Sequence, residues 1–179
     1  MNSKQITEDL YRIDSFFSDS NFRRAFEEFT PYYNSWVFNK SEGDSDHHPV
    51  IGYLDKISSH SIGENLQFLD LGTIAKYSCQ KILKQNLTLE RVNTNIQFFG
   101  QESSLHVDGP DNFWSLVIFM SPFWSSEWGG EFVMNDQTIP YISNRAVLFK
   151  AHLMHKGYAP NRYCVHPRLS LAFLFSPSK

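Results

Sequence analysis

The sequence predicts a mainly β fold, an antiparallel double sheet with helices braced against one side. Three observations carry this expectation. From about Arg91 onward the runs 91–99, 113–120, 130–134, 139–142, 145–151 and 168–175 read as short strands, punctuated by Gly, Pro, Asn and Asp. Ahead of them lie two stretches with helical periodicity. The chain also carries 16 Phe, 8 Tyr and 4 Trp, and bulky rings favour strands and the space between sheets.

Taken in order, residues 8–17, with Leu10, Tyr11, Ile13, Phe16 and Phe17, read as a short strand leading into a turn. Asp19 or Ser20 can cap a helix running to about Phe29, whose Phe22, Ala25, Phe26 and Phe29 fall on one face. Pro31 ends that helix. Tyr32, Tyr33, Trp36, Val37 and Phe38 suggest an aromatic strand. Residues 39–49 read as a polar, solvated loop and a candidate lid, with His47 and His48 too close in sequence to converge on one ion. His60 reads as a surface or capping residue. The second helix covers 66–86, with Leu66, Leu69, Ile74, Tyr77, Ile82 and Leu83 spaced for packing and Gly72 blurring its start. Trp128-Gly129-Gly130-Glu131 reads as a tight turn entering a strand.

At 179 residues and 41% hydrophobic content, one core suffices, so we expect a single domain over 1–179, in which 1–90 supports a core of 91–179. The formal charge of −3 gives no broad basic field for nucleic acid. Cys79 and Cys164 lack CxxC spacing and read as reduced thiols of a cytoplasmic protein. The N-terminus carries no apolar signal segment, and no run reaches membrane-spanning length.

The chemistry concentrates at Leu105-His106-Val107-Asp108-Gly109. In an extended segment residues i and i+2 share a face, so His106 and Asp108 can offer an imidazole and a carboxylate to one metal. A third ligand must come from a later strand. His152, His155 and His166 lie downstream, and spacing alone does not choose between His152 and His155. The last strand begins Arg168-Leu169-Ser170, with Arg168 and Ser170 on one face and Leu169, Leu171 and Phe173 on the other. A guanidinium directed into an apolar sandwich requires an anion, and its planar fork suits a carboxylate. Two histidines and one carboxylate leave three metal positions open, as in non-haem Fe(II) oxygenases.

These residues form an ordered set: Asn95-Ile96-Gln97-Phe98-Phe99-Gly100, His106-Val107-Asp108, Trp124 with Gly129-Gly130-Glu131-Phe132, Val147-Leu148-Phe149, His155 and Arg168-Leu169-Ser170. In this order they resemble the Fe(II)/2-oxoglutarate-dependent dioxygenases, in particular the small prolyl-4-hydroxylase-like group that includes phage-encoded members. The resemblance covers about Arg91 to Phe175. It implies a double-stranded β-helix (a cupin-like jelly roll) buttressed by α-helices. In that family the distal histidine and the arginine follow a Leu-Phe strand end much as His155 and Arg168 follow Phe149, which assigns the third ligand to His155. His152 is left with a supporting or surface role, and His166 lies too close to Arg168.

The same resemblance implies Fe(II) on His106, Asp108 and His155, and 2-oxoglutarate as co-substrate with its distal carboxylate on Arg168 and Ser170. O2 is the oxidant, and ascorbate a candidate reductant. The reaction implied is hydroxylation of a C–H bond on a protein, peptide or small-molecule substrate; related halogenases lack the carboxylate that Asp108 supplies. One departure stands out. Relatives often place tyrosines against 2-oxoglutarate, and the nearest positions here, Phe98 or Phe99 and Phe119, have no hydroxyl. Asn95, Gln97 and Ser170 are the expected substitutes. The competing expectations are a non-catalytic cupin-like metal-binding module and a nucleic-acid oxidative demethylase of the same fold, the latter disfavoured by charge. Phe123, Trp124 and Trp128, with Tyr32, Tyr33 and Trp36, read mainly as packing residues that could border a substrate pocket.

Overall fold

Alternation decides the architecture. In the computed structural model, which describes residues 1–29, 37–40, 50–58 and 66–178, apolar side chains on successive strand positions serve two different cores. The described strands are β1 (Asn2–Thr7), β2 (Leu10–Asp14), β3 (Val37–Lys40), β4 (Val50–Ser58), β5 (Leu87–Gln97), β6 (Trp114–Phe119), β7 (Phe132–Met134), β8 (Gln137–Ile139), β9 (Ala146–Lys150), β10 (His155–Gly157) and β11 (Arg168–Pro177); the helices are α1 (Asp19–Phe29) and α2 (Leu66–Leu83). Eight strands form one sheet in the order β1-β2-β9-β6-β11-β5-β4-β3, and three form a second in the order β10-β7-β8. The described pairings are antiparallel. This is the double-stranded β-helix. Its N-terminal half contributes more than helices, because β1 to β4 extend the large sheet at both edges.

One face of the large sheet buries Leu116, Ile118, Ala146, Leu148, Leu169, Leu171 and Phe173 together with Leu71, Ala75 and Cys79 of α2. The other face sends Phe119, Val147 and Phe149 toward Phe132, Met134 and Ile139 of the small sheet. Each such large side chain, moved from water into the core, contributes about 1.5–3 kcal/mol. Gly72 lies inside α2 because the helix comes close to the sheet there: a Cβ at that position would meet Leu89 Cδ2 at 2.6 Å. Ala25 of α1 is buried, with Phe22 and Phe26 packed beside it.

Several local expectations need correction. The cap of α1 is Ser18, whose Oγ accepts from Asn21 N at 3.3 Å, rather than Asp19 or Ser20. The buried line of α2 is Leu71, Ala75 and Cys79, while Tyr77 is 63% exposed. That helix stops at Leu83, where Lys84 turns to φ 54°, so β5 begins at Leu87, ahead of the expected 91. Strand β8 is Gln137–Ile139 instead of 139–142. The β1 strand escapes sequence reading because it is a polar, exposed edge held by backbone pairing to β2. Asn39 and Lys40, read as loop, belong to β3. The rest of that loop, with His47 and His48, lies outside the described residues, as do His60, Pro31, Tyr32, Tyr33 and Trp36. Cys79 and Cys164 are both free. No helix among the described residues is long and apolar enough to cross a membrane.

Candidate active site

The register of three neighbouring strands lays polar side chains in rows across the inner face of the large sheet. Arg168 of β11 pairs with Gln97 of β5; Ser170 lies between Asn95 and Phe119; Ala172 lies between Asn93 and Val117; Leu174 lies between Arg91 and Ser115. All of these except Phe119 line a cavity of about 110 Å³, whose wall also includes Phe132 and His155 of the small sheet and His106 and Asp108.

The HxD triplet lies outside the regular strands. His106 makes a single antiparallel bridge to His155. The bridge has two backbone bonds, His106 N to His155 O at 3.0 Å and His155 N to His106 O at 2.9 Å. Asp108 N then donates to Ala151 O at 2.8 Å. This pairing brings the imidazoles and the carboxylate together: ligand atoms of His106, Asp108 and His155 all lie within 4.8 Å of one another. His106 Nε2 is 3.6 Å from Asp108 Oδ1, and His155 Nε2 is 3.5 Å from Asp108 Oδ2. Both Nδ1 atoms face backbone carbonyls, those of Ser104 at 2.8 Å and Leu153 at 2.9 Å. In the neutral ring that contact holds the proton on Nδ1 and leaves the Nε2 lone pair facing the cluster. His155 sits between Phe132 and Phe149, and burial lowers its pKa, an effect opposed by the Asp108 charge and reinforced by His106. Its imidazole is therefore neutral and ready to ligate.

Arg168 is 3% exposed. Its Nε donates to Gly130 O at 2.9 Å and its Nη1 to Gln97 Oε1 at 2.8 Å. The guanidinium also lies 5.0 Å from the Tyr141 ring and 5.6 Å from Phe119. Among the described residues no carboxylate reaches it at ion-pair distance, although Glu102 and Glu131 act on it electrostatically against the effect of burial. A buried cation without an ionic partner is costly, and here it borders a cavity. Two glycines make room for it. Gly130, at φ 83°, would bring a Cβ within 2.8 Å of Trp124 Cζ2, and a Cβ on Gly157 would meet Arg168 Nη2 at 2.7 Å.

Of the expected co-substrate contacts, Ser170 and Asn95 line the cavity. Gln97 lines it too, but its amide is engaged. Its Oε1 accepts from Arg168, and its Nε2 donates to Gln101 O at 3.0 Å and Gly157 O at 3.3 Å. The Phe positions named in place of tyrosine do not substitute for it: Phe98 is 40% and Phe99 63% exposed, and Phe119 is stacked on Tyr141 in the core. Tyr141 faces Arg168 with its ring, while its hydroxyl donates to Leu169 O. His152 is exposed, and His166 lies on the surface edge-on to Phe123 and tilted against Trp128. Trp124 packs its ring on Tyr141 and donates from Nε1 to Gly129 O at 2.9 Å, whereas Phe123 is 65% exposed.

Sequence reasoning missed Ser103, Arg91, Asn93 and Ser115. Ser103 Oγ donates to Gly157 O at 2.8 Å and lies in the cavity wall. Arg91 Nη2 donates to Asp108 O at 3.3 Å and is 3.8 Å from Asp108 Oδ1. Alternation from Gln97 back to Arg91 along β5 was the available signal for Arg91 and Asn93.

Donor chemistry and the buried arginine both suit a divalent metal with a dicarboxylate beside it. Fold and cluster together suit a non-haem iron site. Residues 93–176 match the 2OG-Fe(II) oxygenase superfamily. That matching segment holds the His-Asp-His cluster and Arg168. Comparison with curated proteins gives no match. Among solved structures, a prolyl hydroxylase from Trichoplax adhaerens in complex with a hypoxia inducible factor peptide fragment is similar at TM-score 0.71 and 16% identity, over 96% of this chain and 84% of that one. A Pseudomonas putida prolyl-4-hydroxylase is similar at TM-score 0.64 and 16% identity, over 97% and 95%. HygX from Streptomyces hygroscopicus, with nickel, 2-oxoglutarate and hygromycin B bound, is similar at TM-score 0.65 and 12% identity, over 95% and 83%.

Proposed function

We propose that His106, Asp108 and His155 hold Fe(II), that Arg168 and Ser170 hold the distal carboxylate of 2-oxoglutarate, and that the enzyme hydroxylates a C–H bond of a prolyl-like substrate. The observation that carries this is the presence, in one cavity, of a three-donor metal cluster and a buried arginine without a carboxylate partner among the described residues.

When bound, iron with 2-oxoglutarate and O2 supplies the oxidising equivalents: one oxygen atom enters the substrate C–H bond and the other enters succinate as CO2 leaves. The chain's own residues do the rest. His106 and His155 would present Nε2 atoms to the iron, and Asp108 would contribute charge. Gln97 and the Gly130 carbonyl fix two edges of the Arg168 guanidinium, so the fork meets a carboxylate without reorganising. Phe119, Phe132 and Phe149 keep the inner wall apolar, which strengthens the charge pairing and limits water. Asn95 adds a polar contact at the rung shared with Ser170.

We take 1–179 as one catalytic unit, since strands on both sides of residue 90 share the large sheet. A cytoplasmic setting suits ferrous iron and the two free thiols. The test is succinate formation from 2-oxoglutarate by the purified chain with Fe(II) and O2. Turnover in the parent protein that is lost in His106→Ala and Arg168→Ala is the expected result; a parent protein that binds metal yet never makes succinate with any prolyl peptide or amino acid would refute it.

A further inference from the structure

The cavity has a second cation. Arg91, Asn93, Asn95 and Gln97 alternate on the cavity face of β5, and at about 3.3 Å per residue Arg91 sits roughly 20 Å of strand from Gln97 and its partner Arg168. A five-carbon dicarboxylate held by Arg168 at one end and by metal at the other has no carboxylate left for Arg91. Arg91 leans on Asp108, with Nη2 at 3.8 Å from Oδ1 and donating to the backbone oxygen at 3.3 Å. Ligation of a dication by the Asp108 carboxylate would weaken the ion pair and leave Arg91 only the backbone contact.

Arg91, Arg168 and Asp108 line the cavity together with the two histidines. Beside Arg91 are two further polar atoms without partners. Asn93 Oδ1 and Ser115 Oγ are buried and make no hydrogen bond among the described residues. Ser115 is 2% exposed and sits in the same rung as Arg91, across Leu174. A buried polar atom left unpaired is costly, and both of these line the cavity.

We propose that this end of the cavity is the substrate subsite and that it takes a free α-amino or imino acid, whose carboxylate pairs with Arg91 and whose nitrogen donates toward Asn93 and Ser115. This rests on the reading of the metal and co-substrate site given above. It separates two kinds of substrate, because a residue inside a peptide has no carboxylate for Arg91 and a free acid does. The Arg91 side chain is 28% exposed.

The experiment titrates the full chain, loaded with Mn(II) and 2-oxoglutarate in the absence of O2, with the proteinogenic L-amino acids, each paired with its α-amide, and reads binding by calorimetry. At least one free acid is expected to bind, with its amide about tenfold weaker or worse, as for a lost charge-assisted hydrogen bond. Arg91→Gln is expected to abolish that preference and Arg91→Lys to retain part of it. With Fe(II) and O2 the same acid should gain one oxygen atom in step with succinate. The proposal is overturned if no amino acid binds, if acids and amides bind alike, or if Arg91→Gln weakens 2-oxoglutarate as much as it weakens the amino acid. Failure of the underlying site reading shows separately, as absence of 2-oxoglutarate binding to the metal-loaded parent protein before any amino acid is added.

Discussion

Gln97 gives its amide oxygen to Arg168 Nη1 at 2.8 Å across a register pair of β5 and β11, and its amide nitrogen is spent on the Gln101 and Gly157 carbonyls. A neutral side chain thus orients a buried cation without neutralising it. Gln97→Ala leaves Nη1 unpaired and should cost about 1–3 kcal/mol of stability. Gln97→Glu should be worse for function than Gln97→Ala, because the new carboxylate occupies Arg168 in place of the co-substrate. Titration of 2-oxoglutarate into Mn(II)-loaded protein checks this; equal affinities for the two variants would remove Gln97 from this role.

The metal assignment distinguishes neighbouring histidines. His155→Ala and Asp108→Ala are expected to abolish stoichiometric Mn(II) binding in equilibrium dialysis, while His152→Ala, which changes an exposed ring, binds like the parent. Binding lost in the His152 variant and kept in the His155 variant would reverse the assignment.

The two glycines around Arg168 should fail in different ways. Gly130→Ala puts a side chain at φ 83° and against Trp124, so it should lower stability by more than about 1 kcal/mol, seen as a reduced melting temperature. The Cβ of Gly157→Ala meets only the far end of Arg168. That substitution should spare the melting temperature and raise the 2-oxoglutarate KM. A folded Gly157→Ala enzyme with unchanged KM would show that Arg168 can move aside.

Ligands should stabilise by linkage. Mn(II) and 2-oxoglutarate, each at a hundred times its dissociation constant, should each add about 2.7 kcal/mol to unfolding free energy. In Arg168→Ala the 2-oxoglutarate increment should vanish and the metal increment persist, as differential scanning fluorimetry would report.

Much of this site was legible because its chemistry is conspicuous. An HxD triplet and an arginine opening an apolar strand have few roles in a packed sandwich, and the alternation of Arg168, Leu169, Ser170 and Leu171 already named the inward face. The choice of His155 over His152 needed the family pattern, since only the path of the turn after Phe149 decides which ring points in. Ser103 and Ser115 stayed hidden for a different reason. Their side chains carry no pattern of their own: Ser115 gains its meaning from the β11 rung it faces, and Ser103 from its bond to Gly157. The β1 strand and the bridging segment at His106 depend on backbone pairing alone, which leaves no periodic trace in side-chain polarity.

The reciprocal backbone bonds between His106 and His155 tie two prospective ligands together through main-chain atoms. On the proposed assignment the main chain, not the ion, brings the two rings together, so occupancy of the site would follow the free Fe(II) concentration around it.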